Sequence, residues 1–190
     1  MTSFPSGFLT RCSGLSTIDL SPLVNLTSLS WSFLEGCSGL KYLNLSPLSN
    51  ITKIPPGFLE GCSGLTSIDL TPLSKITKLT PNFLAGCSGL KRIDLTALGN
   101  IGSIPSGFLS GCSELESIDF GPMSSLVKIP NTLFLLGCTK LQVLYNLPPG
   151  CPPPGWTLVY SGGQEGTTTT QWRRRGGNEE VSKSKKCELM

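Results

Sequence analysis

Phe33-Leu34-Glu35-Gly36-Cys37-Ser38-Gly39-Leu40-Lys41-Tyr42-Leu43-Asn44-Leu45 decides the fold, because the chain keeps repeating it. The half that runs from phenylalanine to the second leucine returns at residues 58–65, 83–90 and 108–115, and with drift at 134–141. The half that follows returns as Leu15-x-x-Ile18-Asp19-Leu20, Leu65-x-x-Ile68-Asp69-Leu70, Leu90-x-x-Ile93-Asp94-Leu95 and Leu115-x-x-Ile118-Asp119-Phe120, with a degenerate Leu141-x-x-Leu144-Tyr145. Cys12, Cys37, Cys62, Cys87, Cys112 and Cys138 therefore stand 25, 25, 25, 25 and 26 residues apart. A fixed period of this size is the mark of a solenoid, in which each turn buries its apolar residues only against its neighbours.

Within one repeat, Ile68 and Leu70 alternate with Ser67 and Asp69, the period of a short strand with one face inward. Pro72 has no N–H for a ladder and ends that strand. Leu73, Ile76 and Leu79 then come at spacings of three, as in a chain that bends around a core. Phe83, Leu84 and Cys87 are placed for about one turn of helix, with Gly86 allowing close approach. The expected architecture is an α/β repeat solenoid over residues 1–147, a right-handed coil of about six turns with its first turn incomplete. Each 25-residue repeat is expected to give one short parallel strand and a short helical or irregular convex side.

Composition agrees. Of 190 residues, 38% are hydrophobic and 14% charged, too apolar for a disordered chain, and 22 glycines with 15 prolines favour many short elements. Residues 1–160 carry 9 Lys+Arg and 8 Asp+Glu, a net of +1, and residues 161–190 carry 6 and 4, a net of +2. So neutral a body has no electrostatic footprint for nucleic acid. Histidine is absent, which removes the usual general base, and there is neither a Gly-x-Ser-x-Gly elbow nor a phosphate-binding loop. No enzyme, cofactor or metal is expected, and no Cys-x-x-Cys pair suggests zinc. The cysteine column reads as a row of buried structural thiols.

The outward strand positions form columns, and these are the candidate binding residues. One reads Asp19, Asn44, Asp69, Asp94, Asp119; beside it stand Lys41, Tyr42, Lys91 and Arg92. Carboxylates stacked at strand spacing repel one another, and Lys41, Lys91 and Arg92 are expected to relieve them. Tyr42 and Arg92 are residue types that anchor interfaces.

Leu-x-x-Ile-x-Leu, then Pro, then Ile-x-x-Ile, then Phe-Leu-x-Gly-Cys-x-x-Leu resembles the BspA-like (Treponema-type) leucine-rich repeats, with Leu59 and Cys62 on that class's aromatic-x-x-Cys element. The 25-residue period is longer than the family's usual turn. Leu23, Leu48, Leu73, Leu98 and Met123 occupy the place of the asparagine ladder of ribonuclease-inhibitor-type repeats. The resemblance implies a surface or adhesion module of the kind found in bacteria and protists. It would bind a protein on its concave strand face; the alternative is a structural or antigenic spacer with no dedicated ligand.

Beyond Leu147 the character changes. Residues 148–160 read as a Pro-rich exit followed by a last strand, Trp156-Thr157-Leu158-Val159-Tyr160, that covers the open end. Residues 161–190 read as a flexible polar tail. Its end, Lys183-Ser184-Lys185-Lys186-Cys187-Glu188-Leu189-Met190, resembles a prenylation box with Cys187 as the lipidated residue and lysines as the second signal toward an anionic membrane. Attachment to a membrane through that lipid is the expected localisation, with the cell surface or secretion as the alternative. The N-terminus shows neither a basic nor an apolar leader segment, and residues 4–8 align with 104–108, so the expectation is a fragment or abbreviated copy. Asn25, Asn44 and Asn50 stand in Asn-x-Ser/Thr triplets, which a chain rich in serine and threonine produces by chance.

Overall fold

The computed structural model describes residues 6–7, 9–130, 134–148, 155–162 and 169–174. Each repeat is a path of reverse turns. After buried Ile68 and Leu70, the segment Thr71–Leu73 forms a 3-10 turn with Pro72 at its start, where a missing N–H costs nothing. Ser21–Leu23 and Ser46–Leu48 do the same in their own repeats, and Thr96–Leu98 forms the turn with Ala97 in the place of proline. Leu73, Ile76 and Leu79 are buried at their three-residue spacing, and the pairs between them face outward. The chain then turns again, burying Phe83, Leu84 and Cys87.

Stacking these turns makes one continuous core. Phe33, Phe58, Phe83 and Phe108 lie almost parallel, with ring centroids 6.2, 5.8 and 6.0 Å apart. The column of Leu23, Leu48, Leu73, Leu98 and Met123 is buried along its length. Each such leucine gains about 1.5–3 kcal/mol on leaving water, and no polar or charged residue among the described ones is fully buried beside them.

The Phe-Leu-x-Gly-Cys corner is not a helical turn. Leu34, Leu59, Leu84 and Leu109 have φ between +52° and +56°, and Gly36, Gly61, Gly86 and Gly111 between +70° and +75°. Two left-handed residues so close together exclude a right-handed helix. The left-handed region costs a leucine about 1–2 kcal/mol, which complete burial of the side chain offsets. In return the corner turns its amides toward the neighbouring repeats. The N–H of Gly36, Gly61, Gly86 and Gly111 donates to the carbonyl of Glu60, Ala85, Ser110 and Leu136, at 2.6–2.7 Å. Leu59, Leu84 and Leu109 donate to Phe33, Phe58 and Phe83 in the opposite sense, at 3.1–3.3 Å. A side chain between two repeats of this column would be crowded. A Cβ on Gly61, Gly86 or Gly111 would come within 3.3–3.4 Å of the glycine Cα one repeat earlier. Arg11 takes the same place in the first repeat, where no described repeat lies beneath it.

The strand side departs from expectation. Inward–outward alternation holds in every repeat, but among the described residues regular parallel pairing forms only between β1 (Ser117–Asp119) and β2 (Val143–Tyr145). Earlier repeats meet there through long bonds such as Lys91 N–H to Thr66 at 3.3 Å, or through isolated bridges such as Ser28 with Lys53 on the next flank. The glycine corner holds neighbouring repeats closer than the strand side does. A second correction concerns the C-terminal part. β3 (Trp156–Gly162) is a strand as expected, but it does not pair with the strand of the last repeat. β4 (Thr169–Arg174), in what read as flexible tail, lies between them, giving the order β1-β2-β4-β3. β4 runs antiparallel to β2, with Trp172 opposite Leu144, and Trp156 and Trp172 are both buried. Arg174 lies over the Trp156 ring at 5.3 Å and donates to the Cys138 carbonyl at 2.9 Å. Two large apolar rings and a ladder hydrogen-bonded to β2 hold this hairpin in place. It covers the end of the core.

Gly86→Ala should lower stability by about 1–2 kcal/mol or more, because it combines a left-handed backbone with a Cβ 3.3 Å from Gly61. Gly14→Ala, with open space around its Cβ, should change it by less than about 0.5 kcal/mol. Urea unfolding of the two variants measures the difference.

Candidate functional site

The strand side brings the sequence-predicted residues into one exposed field. Asp19, Asn44, Asp69, Asp94 and Asp119 all face solvent, as do Lys41, Tyr42, Lys91 and Arg92, and Tyr42 is 67% exposed. Their roles differ. Each Oδ1 of the Asp/Asn column accepts the backbone N–H two residues on, Ser21, Ser46, Thr71, Thr96 and Gly121, at 2.8–2.9 Å. This local bond satisfies an N–H at the entrance to the corner that the backbone leaves free. The hydroxyl of Thr96 also donates to Asp94 at 2.5 Å. Hydroxyl and backbone donors from Ser21, Thr71 and Thr96 hold Asp19, Asp69 and Asp94 below the ordinary carboxylate value. The carboxylates are therefore settled by their own backbone and not, as expected, by Lys41, Lys91 and Arg92. The signal was present in three of the five repeats as Asp/Asn-Leu-Ser/Thr-Pro, an Asx-turn pattern that Asp94-Leu95-Thr96-Ala97 and Asp119-Phe120-Gly121-Pro122 keep in part.

The other side chains of the field have no such duty. Among the described residues, Lys41, Tyr42, Lys91 and Arg92 make no hydrogen bond or ion pair through their side chains. An open hollow of about 270 Å³ lies between neighbouring repeats, lined by Asp69, Leu70, Thr71, Ser74, Asp94 and Ala97. Its only charged lining residues are the carboxylates Asp69 and Asp94.

The cysteine column has the opposite character. Cys37, Cys62, Cys87, Cys112 and Cys138 are free thiols with no exposed surface; Cys12, in the first repeat, is half-buried. Each of the five donates its S–H to the carbonyl of the left-handed leucine, Leu9, Leu34, Leu59, Leu84 or Leu109, one repeat earlier, at 2.9–3.3 Å. Nothing in the residue pattern pointed to these bonds, since a sequence does not reveal a carbonyl turned inward by a positive φ. Burial pushes the thiols of Cys62 and Cys112 up to about 12 and that of Cys138 to about 11, and raises Cys37 and Cys87 as well. They cannot serve as nucleophiles. No group of three or more histidine, cysteine or acidic side chains able to hold a metal occurs among the described residues.

Of the asparagine triplets, Asn25 is exposed, Asn44 is engaged in its Asx turn, and Asn50 Nδ2 donates to the Val24 carbonyl at 3.1 Å. Cys187 and the neighbouring Lys183, Lys185 and Lys186 lie outside the described residues. No helix among the described residues is long and apolar enough to cross a membrane.

Stacked 25-residue turns with buried leucine columns and an exposed strand side define a leucine-rich repeat protein. The profile of the BspA type leucine rich repeat region matches residues 2–142 in six copies, and the chain belongs to that family. No curated protein and no solved structure matches it.

A thiol reagent at pH 8 should leave the five buried cysteines unmodified until the protein unfolds. The folded state keeps these protons to higher pH than the unfolded chain, whose thiols ionise near 9.0. Stability should therefore be unaffected below that pH and fall between about 9 and 12 as the pH rises. Urea midpoints measured across that range check the sign.

Proposed function

We propose that this protein is a non-enzymatic binding module that takes a protein ligand on its strand face. The observation that carries this reading is the division of labour on that face. The Asp/Asn column is used internally, whereas Lys41, Tyr42, Lys91 and Arg92 stand free above a buried, continuous core. Rigid presentation of aromatic and guanidinium side chains keeps the entropic cost of binding low. Membership of a repeat family whose extended faces serve as binding surfaces supports the same reading, as does the concave side that a right-handed solenoid would offer there. We place the protein at an anionic membrane through a prenyl group on Cys187, with the adjacent lysines adding attraction that one short lipid needs. Nucleic acid is not part of this proposal.

Replacing Tyr42, Lys91 and Arg92 together by alanine should abolish capture of a partner cross-linked to the native protein without moving the unfolding midpoint by more than a few degrees. Unchanged capture would instead assign the array a spacer role. In the same preparation, made in a eukaryotic cell, the C-terminal peptide should carry a farnesyl mass on Cys187 with the last three residues removed; an intact, unmodified end contradicts the anchor.

A further inference from the structure

All eight acidic residues of the repeat array lie on two sides of the solenoid. Asp19, Asp69, Asp94, Glu116 and Asp119 are on the strand side, and Glu35, Glu60 and Glu114 accompany the glycine corner. The flank between the 3-10 turns and the next proline has none. Its outward pairs, at 24–25 and 27–28 and at each 25-residue step up to 127–128, contain only Ser, Thr, Asn, Gly, Val and four lysines. Lys53, Lys78 and Lys128 occupy one repeat position, and the register is fixed by parallel bridges of Ser28 with Lys53 and Ser103 with Lys128. All three are exposed, and among the described residues none has a carboxylate partner. Lys75 shares the flank, its Nζ donating to Asn50 Oδ1 at 3.0 Å.

We infer that this flank is a second binding surface, separate from the strand face, and that it takes a linear acidic polysaccharide lying along the solenoid axis. At about 4.8 Å per repeat, the three repeat positions fall at about 0, 5 and 14 Å along the solenoid axis. A polymer carrying an anion on every sugar or every second sugar meets such a row. Thr52, Thr77 and Ser103 interleave with the lysines and offer hydroxyls suited to sugar hydroxyls. Two other polyanions fit less well. The outward pairs carry no aromatic residue on which a nucleic-acid base could stack, and the exposed Trp31 of the first repeat is a single ring beyond them. Its exposed apolar side chains are only Val24 and Val127, too few to enter a bilayer. An acidic peptide would find no apolar pocket to anchor it.

The test uses the full chain and heparin as the sulfated polysaccharide probe, with binding measured by calorimetry between 50 and 300 mM salt. Lys53→Gln/Lys78→Gln/Lys128→Gln is compared with Lys41→Gln/Lys91→Gln/Arg92→Gln, which removes the same three charges from the strand face. The cations of residues 161–190 are common to both and cancel. Unfolding midpoints confirm that both variants are folded. The flank variant should lose about tenfold or more in affinity, with a shallower salt dependence, while the strand-face variant stays within about twofold of the parent. Equal losses in the two variants, or none in the flank variant, would overturn the inference. Phosphatidylserine vesicles, single-stranded DNA and polyglutamate are competing probes. Binding of any of these as tightly as heparin, with the same dependence on Lys53, Lys78 and Lys128, would also overturn it.

Discussion

The array depends on a contact in which two backbones approach so closely that a side chain between them would be crowded. Gly36, Gly61, Gly86, Gly111 and Gly137 form a column in the left-handed region, each with its hydrogen where a Cβ would strike the preceding repeat. That approach lets four of these glycines donate to the following repeat at 2.6–2.7 Å. It also sets the pitch at which the phenylalanine rings stack near 6 Å. The left-handed leucine two residues earlier is part of the same device. It turns its carbonyl toward the core, where the cysteine of the next repeat meets it with an S–H. Cysteine is apolar enough for this interior and still a donor, and an alanine would leave the carbonyl with only the backbone bond from its own repeat.

With cohesion concentrated at the glycine corner and in the core, the other two sides are free to vary. On the strand side, the Asp/Asn column closes its own turns, and the residues beside it differ from repeat to repeat, with Tyr42, Ser67, Arg92 and Ser117 at one position. On the flank, Ser28, Lys53, Lys78, Ser103 and Lys128 vary in the same way. A constant frame with variable outward positions is how a repeat protein changes its binding surface without altering its fold. The hairpin β3–β4 completes the frame by placing Trp156, Trp172 and Arg174 over the last repeat.

The period, the buried columns and the proline corners were legible because each rests on residue type at a fixed spacing. Leu73, Ile76 and Leu79 are inward for the reason that their spacing suggests. The left-handed corner at Phe83–Leu84–Cys87, which read as a helical turn, was not legible, because leucine at φ near +55° runs against its intrinsic preference and only tertiary burial makes it acceptable. Thr169–Arg174 could not be recognised as a strand within a glycine- and threonine-rich stretch, because its place between β3 and β2 is set partly by a partner, β2, more than twenty residues earlier. At the candidate site, exposure of the strand-side residues followed from alternation. The separation of self-satisfied aspartates from free cations did not, because it depends on where backbone N–H groups point.

Native-state amide hydrogen exchange tests the central claim most directly. If the glycine corner holds the array together, Gly61, Gly86 and Gly111 should exchange only through global unfolding. Lys91 and Glu116, whose bonds across the strand side span 3.3–3.4 Å, should exchange through smaller local openings. Slowest exchange at Lys91 and Glu116, with the corner glycines opening first, would contradict the account and return the strand side to the role of principal support.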